Sequence, residues 1–386
     1  VLNGEKTFIT NGGFADLFIV FAKIDGEKFS CFILEKGYEG LSTGAEEKKM
    51  GVKGSSTVQV IMEDCKVPVE NQLGEIGKGH KIAFNILNVG RFKLGVGALG
   101  GAKLALDDSI KYANERFQFG QPISGFGMIK NKIANMATGI YVVESMSYRT
   151  AGLLDRKLEP IDKDADDFAP QTMKGIEEYA TECSIIKVKG SEMMDYVADE
   201  AVQIHGGYGY LAEYSVERYY RDSRIARIYE GTNEINRMLI PGMLLKRAMK
   251  GELPLLAAAK KVQNELLDFP SFDDDADDNP LAEEKKLVDN AKKVCLLTAG
   301  LAAQKFGDKL QDEQGVLGAV ADIIIETYGM ESACLRTLKL VASRGEDAVA
   351  TPLLMTRLYT NEAMGKIDLW TREVLAACSE GDELRT

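Results

Sequence analysis

A chain of 386 residues that is 45% hydrophobic and 27% charged can bury the cores of two or three globular domains. Its formal net charge of −12 argues against non-specific nucleic-acid binding and against a membrane-seeking surface. With only two histidines, His80 and His205, a histidine-rich metal centre or a Ser/His hydrolase is disfavoured, and no metal site is expected. Six scattered cysteines without a C-x-x-C pair fit a reducing compartment.

The predicted elements begin with β structure over residues 1–70. Thr7-Phe-Ile-Thr10, Leu17-Phe-Ile-Val-Phe21, Phe29-Ser-Cys-Phe-Ile-Leu34 and Thr57-Val-Gln-Val-Ile-Met62 are β-branched and aromatic runs split by Asn-Gly-Gly and Asp-Gly punctuation. Four or five strands do not close a barrel comfortably. The chain also starts at Val1, which reads as inside a strand–turn–strand unit, so it is expected to be a piece of a longer polypeptide. From about residue 75 the period becomes helical. One helix carries Ile82, Ile86 and Val89 and runs through a glycine-rich tract, 95–102, that predicts close helix–helix approach. A second carries Ile129, Ile133, Met136, Ile140 and Val143, and a third Tyr179, Cys183, Ile186, Met193 and Val197. A fourth follows Thr232 with Ile235, Met238, Leu239 and Leu245, and Pro241 is placed to kink it. Together they predict a four-helix bundle over 71–252.

Two loops punctuate the bundle, Glu115-Arg-Phe-Gln-Phe-Gly-Gln-Pro122 and Gln203-Ile-His-Gly-Gly-Tyr-Gly-Tyr210. The second lets backbone approach a ligand closely, although for either loop taken alone a helix C-cap followed by a turn is the better reading. Between them and the fourth helix lies Ile228-Tyr-Glu-Gly-Thr232. Here Gly231 allows a tight turn, Thr232 can cap the helix, and Glu230 stands where a carboxylate base would meet free N–H groups. After residue 251 an acidic, Pro-flanked tract at about 268–280 reads as a solvated linker. Helical periodicity then returns, making 253–386 a helical extension. Its Arg336, Lys339 and Arg344 edge reads as a solvated helix face in preference to a lipid contact, and membrane contact is not expected.

Four stretches in order, Phe8-Ile-Thr-Asn-Gly12, Arg116-Phe-Gln-Phe-Gly120, Gln203-Ile-His-Gly-Gly-Tyr-Gly209 and Ile228-Tyr-Glu-Gly-Thr232, resemble the acyl-CoA dehydrogenase family. The resemblance is strong over residues 1–250, and the extension, with Asn88-Val-Gly-Arg-Phe92, looks most like the very-long-chain subgroup. It implies an α+β, mostly α fold: a partial middle β-barrel-like domain, the helix bundle and an extra C-terminal helical domain. It also implies FAD as cofactor, a long-chain fatty acyl-CoA as substrate and oxidation to trans-2-enoyl-CoA in fatty-acid β-oxidation. Further implications are an electron-transferring flavoprotein as electron acceptor and a homodimer or higher homo-oligomer, because each FAD is shared.

Residue by residue, Glu230 matches the catalytic base, and its backbone N–H the donor to the thioester carbonyl. Arg91 matches an arginine near that base. The alternative position for a family base falls on Gly90, which has no side chain to serve. Thr10 matches the hydroxyl at the flavin N5 region, Phe8 a ring-flanking position, and Thr232 and Glu234 positions near the cofactor. Arg116, Phe119, Gln203, Gly206 and Gly207 match the residues and glycine loop that reach the adenosine-diphosphate part of a neighbouring subunit's FAD. His205 reads as a packed residue. An acyl-CoA oxidase and a non-catalytic assembly scaffold share this fold and stay as alternatives. The expected compartment is the cytoplasm for a bacterial source and the mitochondrion for a eukaryotic one.

Overall fold

The computed structural model describes residues 1–265 and 279–381. The acidic tract expected at about 268–280 lies almost wholly outside the described residues. The chain divides into two compact units, Val1–Gly90 and Arg91–Thr386.

The β runs predicted in the first unit form six strands: β1 (Leu2–Thr10), β2 (Leu17–Ile24), β3 (Lys28–Glu35), β4 (Leu41–Thr43), β5 (Thr57–Cys65) and β6 (Gln72–Leu73). They make two antiparallel three-stranded sheets, ordered β1-β5-β4 and β2-β3-β6, and no closed barrel. The Asp-Gly punctuation works as its chemistry requires. Asp25 and Gly26 both take positive φ (51° and 75°), and Glu27 N–H bonds the Ile24 carbonyl at 3.1 Å. This is the primed turn whose twist matches two antiparallel strands. Phe18, Val20, Leu34, Val60, Met62 and Cys65 form the core of the unit. In β1 the register shifts between Lys6 and Ile9, so one extra residue bulges against β5.

Ten helices are described. They are α1 (Gly79–Glu115), α2 (Gly127–Leu158), α3 (Phe168–Glu178), α4 (Ala180–His205), α5 (Ser215–Ser223), α6 (Asn233–Met249), α7 (Leu255–Glu265), α8 (Ala282–Phe306), α9 (Gln314–Arg344) and α10 (Ala350–Cys378). The four helices expected from periodicity are α1, α2, α4 and α6, and Pro241 does fall inside α6. Leu99, Ala102, Met136, Ile140, Val143, Met193 and Val197 join α1, α2 and α4 in one core. The glycine tract serves close approach at one point above all. A Cβ on Gly95 would sit 2.5 Å from the Ile186 carbonyl oxygen, and one on Gly190 would sit 2.9 Å from the Gly95 Cα. The helices cross there with no room for a methyl group. Not every periodic position is covered: Ile86 is 53% and Val89 39% exposed. Periodicity marks a face fit for burial without saying what covers it.

The extension packs α8, α9 and α10 around Ile323, Met330, Tyr359 and Ile367, in one continuous core with Tyr141, Met146 and Ile186 of the bundle. Its basic edge is solvated at Lys339 and Arg344, as expected, but not at Arg336. Arg336 pairs with Glu144 at 2.7 Å and lies 4.6 Å over the Tyr141 ring, which docks it against α2. Sequence spacing within α9 carries no trace of that partner.

Candidate active site

Between α5 and α6 the chain makes a short 3-10 turn (Arg224–Arg227) and then reverses through residues 228–232. Glu230 and Gly231 take successive left-handed conformations, φ 57° and 80°. Gly231 accepts this freely, whereas a side-chain-bearing residue resists it by about 1–2 kcal/mol. The strain persists because the neighbours hold the turn. Thr232 caps α6, its Oγ1 accepting from the Ile235 N–H at 3.3 Å. The Asn236 Nδ2 donates to the carbonyls of Gly231 (2.9 Å) and Thr232 (3.0 Å). Arg91, 6% exposed, donates from Nε to the Glu230 carbonyl at 3.4 Å. Burial pulls the Arg91 guanidinium down from its ordinary value, with Cys183 and Glu230 opposing that shift. Among the described residues no protein group accepts the Glu230 backbone N–H. The half-buried carboxylate therefore stands beside an available donor at the mouth of a helix N-terminus.

Glu234 is exposed, and its carboxyl is held below the usual carboxylate range. The cause is first its own backbone N–H and then the Thr232 hydroxyl, which makes it part of the helix cap. The sequence reading missed Asn233, Asn236 and Lys187. Asn233 and Asn236 are 2% and 0% exposed, and Lys187 is fully buried with Nζ 2.6 Å from the Asn233 Oδ1. Two asparagines in the first turn of a helix are poor formers there, and that was the one available signal.

The other two predicted motifs converge on a cleft of about 450 Å³ lined by Tyr112, Arg116, Gln118, His205, Gly206, Gly207 and Tyr208 among others. What reads as a loop at 115–122 is a hairpin, β7 (Phe117–Gln118) and β8 (Gln121–Pro122). Its two-residue turn has Phe119 and Gly120 at φ 54° and 84°. Phe119 is thus strained as well as 90% exposed, at the hairpin tip. Arg116 lies 5.5 Å over the Tyr208 ring and pairs with no carboxylate among the described residues. The glycine loop starts at the C-cap of α4, where Gly206 has φ 59°. A Cβ on Gly206 or Gly207 would meet nothing within 4 Å, whereas one on Gly209 would strike the Val202 carbonyl oxygen at 2.5 Å. Gly209 is glycine for packing; the other two leave space on the cleft wall. Gln203 is exposed on the last turn of α4.

His205 is buried, stacked 4.1 Å from the Tyr112 ring, with Nδ1 2.8 Å from the Ala201 carbonyl oxygen. Burial lowers its pKa from 6.5. Phe8 and Thr10 belong to the β unit. Phe8 sits in the β1 bulge at φ 55°, 71% exposed, and Thr10 is exposed opposite Thr57. Phe8, Phe119 and Glu230 are three of the seven described non-glycine residues with positive φ. Such strain concentrates where a fold presents groups to ligands.

Three family models match the chain in order. They are the acyl-CoA dehydrogenase middle domain over residues 1–65, the C-terminal domain over 77–245, and a second C-terminal-domain model over 290–386. The chain belongs to the acyl-CoA dehydrogenase family. It is 52% identical over 385 residues to a probable acyl-CoA dehydrogenase of Bacillus subtilis, a match covering 100% of this chain and 64% of that protein. The crystal structure of an acyl-CoA dehydrogenase complexed with FAD from Bacillus anthracis superposes with a TM-score of 0.96 at 55% identity. That match covers 100% of this chain and 65% of the other. The chain thus spans slightly less than two thirds of these relatives. A caffeyl-CoA reductase–Etf complex subunit of Acetobacterium woodii is 44% identical over 251 residues, 64% of this chain and 61% of that protein. Within this family frame, the geometry brings the predicted residues together as two groups. Glu230, Arg91, Thr232 and Glu234 gather at the α6 N-terminus, and Arg116, Gly206 and Gly207 line the cleft, whereas Phe119 and Gln203 are exposed on the hairpin tip and the last turn of α4 and do not line it.

Proposed function

We propose that this chain carries the catalytic base and part of the cofactor site of an FAD-dependent acyl-CoA dehydrogenase. The observation that carries the reading is Glu230: a carboxylate in a locked left-handed turn, with its own N–H available and a helix N-terminus behind it. In this role the Glu230 carboxylate takes the proton from the α-carbon of an acyl thioester. Its backbone N–H donates to the thioester carbonyl, where negative charge develops as the proton leaves. Arg91 holds the Glu230 carbonyl and so keeps the carboxylate and the N–H in register.

The residues fit FAD. Gly206 and Gly207 leave open space beside the Arg116 guanidinium, which suits a pyrophosphate, and the aromatic wall suits an adenine. When bound, FAD supplies the acceptor for the hydride that leaves the β-carbon. In this reading Phe119 and Gln203 complete the rim, while Phe8 and Thr10 are assigned to the flavin ring. The exposed hairpin tip supports a homodimer or higher homo-oligomer in which a second copy's cofactor is reached. The Acetobacterium relative, a subunit of an Etf complex, supports an electron-transferring flavoprotein as electron acceptor.

We assign residues 1–70 to the middle β-domain, 71–252 to the bundle and 253–386 to the extension, with the three family models as support. Long-chain substrates in fatty-acid β-oxidation and a bacterial cytoplasmic setting complete the proposal, the latter supported by the Bacillus subtilis match. Among the described residues no helix is long and apolar enough to cross a membrane. The test is an anaerobic titration of the full-length, FAD-loaded protein with palmitoyl-CoA and, in parallel, butyryl-CoA. Bleaching of the flavin by palmitoyl-CoA is expected, with weaker response to the short chain. No bleaching by either removes the dehydrogenase reading, and preference for butyryl-CoA removes the long-chain assignment.

A further inference from the structure

Lys187 projects from the middle of α4 and is fully buried. Its Nζ donates to the Asn233 Oδ1 at 2.6 Å, and the Asn233 Nδ2 donates in turn to the Ser191 Oγ (3.1 Å) and the Glu192 Oε1 (3.0 Å). Asn233 is the first residue of α6, three positions after Glu230. A buried ammonium is costly, and beside a helix N-terminus it adds to the positive end instead of offsetting it. Burial pulls Lys187 down to about 8, against the carboxylates of Glu234, Glu192 and Glu230 and with the Arg91 charge opposing them. A fold that needed only packing here would place an apolar residue at 187.

We propose that Lys187 is a positioning residue: through the Asn233 side chain it fixes the first turn of α6, and with it the left-handed turn that presents Glu230. The proposal rests on the dehydrogenase reading above. The clamp is anchored at its far end as well. The Glu192 that receives Asn233 also receives Arg237 at 2.7 and 3.0 Å, and Arg237 reaches Asp322 of α9 at 2.9 Å. Lys187 touches no reacting atom in this scheme; it acts through Asn233.

Lys187→Met keeps the volume and removes the charge and the donor. In the full-length, FAD-loaded protein, kcat with palmitoyl-CoA is expected to fall about 30-fold, with KM within twofold, flavin content unchanged and the melting temperature within a few degrees. Asn233→Leu should give the same loss, and the double variant should fall no further, since both cut one link. Amide hydrogen exchange over residues 228–234, read without substrate, should rise at least tenfold in each variant while the rest of α4 stays protected. That readout holds even if the wild type fails to bleach, which would remove the dehydrogenase reading by itself. Unchanged exchange at 228–234 overturns the clamp. So does a kcat loss that merely follows lost flavin, or losses that multiply in the double variant. Should Lys187→Met not fold, Lys187→Gln and Asn233→Leu carry the same comparison.

Discussion

At residues 228–232 the backbone is gripped by side chains that are themselves buried, namely Arg91 and Asn236. At Gly206–Tyr210 and on the 117–122 hairpin, by contrast, open glycines and exposed aromatic rings face solvent: Phe119 is 90% and Tyr210 87% exposed. The first region can afford a glutamate at φ 57° because the surrounding hydrogen bonds over-determine it. The second is packed at Gly209 and at the His205–Tyr112 stack and leaves open space at Gly206 and Gly207. On the proposed function, a group that must meet one carbon atom needs fixed geometry, whereas a wall that would hold a large cofactor needs room and polar backbone.

Changes that cut this contrast most deeply come first. Glu230→Gln keeps the turn and removes the base, so flavin bleaching by acyl-CoA should slow by about 10³-fold or more with substrate affinity retained, measured by stopped flow. Equal bleaching by the variant would take the base role from Glu230. Gly209→Ala drives a methyl group into the Val202 carbonyl oxygen at 2.5 Å and should destabilise the fold by about 1–3 kcal/mol, read from urea unfolding. Two residues earlier, the methyl group of Gly207→Ala meets no protein atom within 4 Å. It should leave unfolding nearly unchanged and weaken FAD retention about tenfold, or roughly 1.4 kcal/mol, by flavin-release titration. If both glycine variants behaved alike, the division between packing and space would fail.

A smaller effect concerns His205 in the cleft wall. Because burial lowers the His205 pKa below 6.5, the unfolded chain binds the extra proton first as pH falls. The stabilising contribution is therefore complete above pH 6.5 and is lost as pH falls through the folded-state value. His205→Phe keeps a ring on Tyr112 and should flatten the acid-side loss of melting temperature. An unchanged slope would show that His205 does not titrate on unfolding. The least effect is expected for Phe119→Asn, which relieves the left-handed strain at φ 54° and should stabilise the chain by less than about 1 kcal/mol. The same change should loosen FAD, since the exposed ring is lost from the rim.

Much of this was legible in the order of residues. β-branched and aromatic runs split by Asp-Gly punctuation forecast strands, and two of them joined as a hairpin through the primed turn that Asp25-Gly26 favours. The periods in α1, α2, α4 and α6 forecast the bundle, and Glu230-Gly-Thr232 forecast a tight turn into a capped helix. These are local properties, fixed by neighbours within a few positions. Lys187 and Asn233 are 46 residues apart, and Arg91 and Glu230 are 139 apart. Nothing in the local pattern around any of them names its partner. Arg336 is the same lesson in reverse: a basic edge by spacing, it is a partner of Glu144 in space. The sequence determined that a glutamate would stand before a helix start. Tertiary packing decided that the Glu230 carbonyl would be held by Arg91, because that guanidinium comes from a distant helix and meets the turn only after the helices pack, whereas Gly231 and Asn236 act locally.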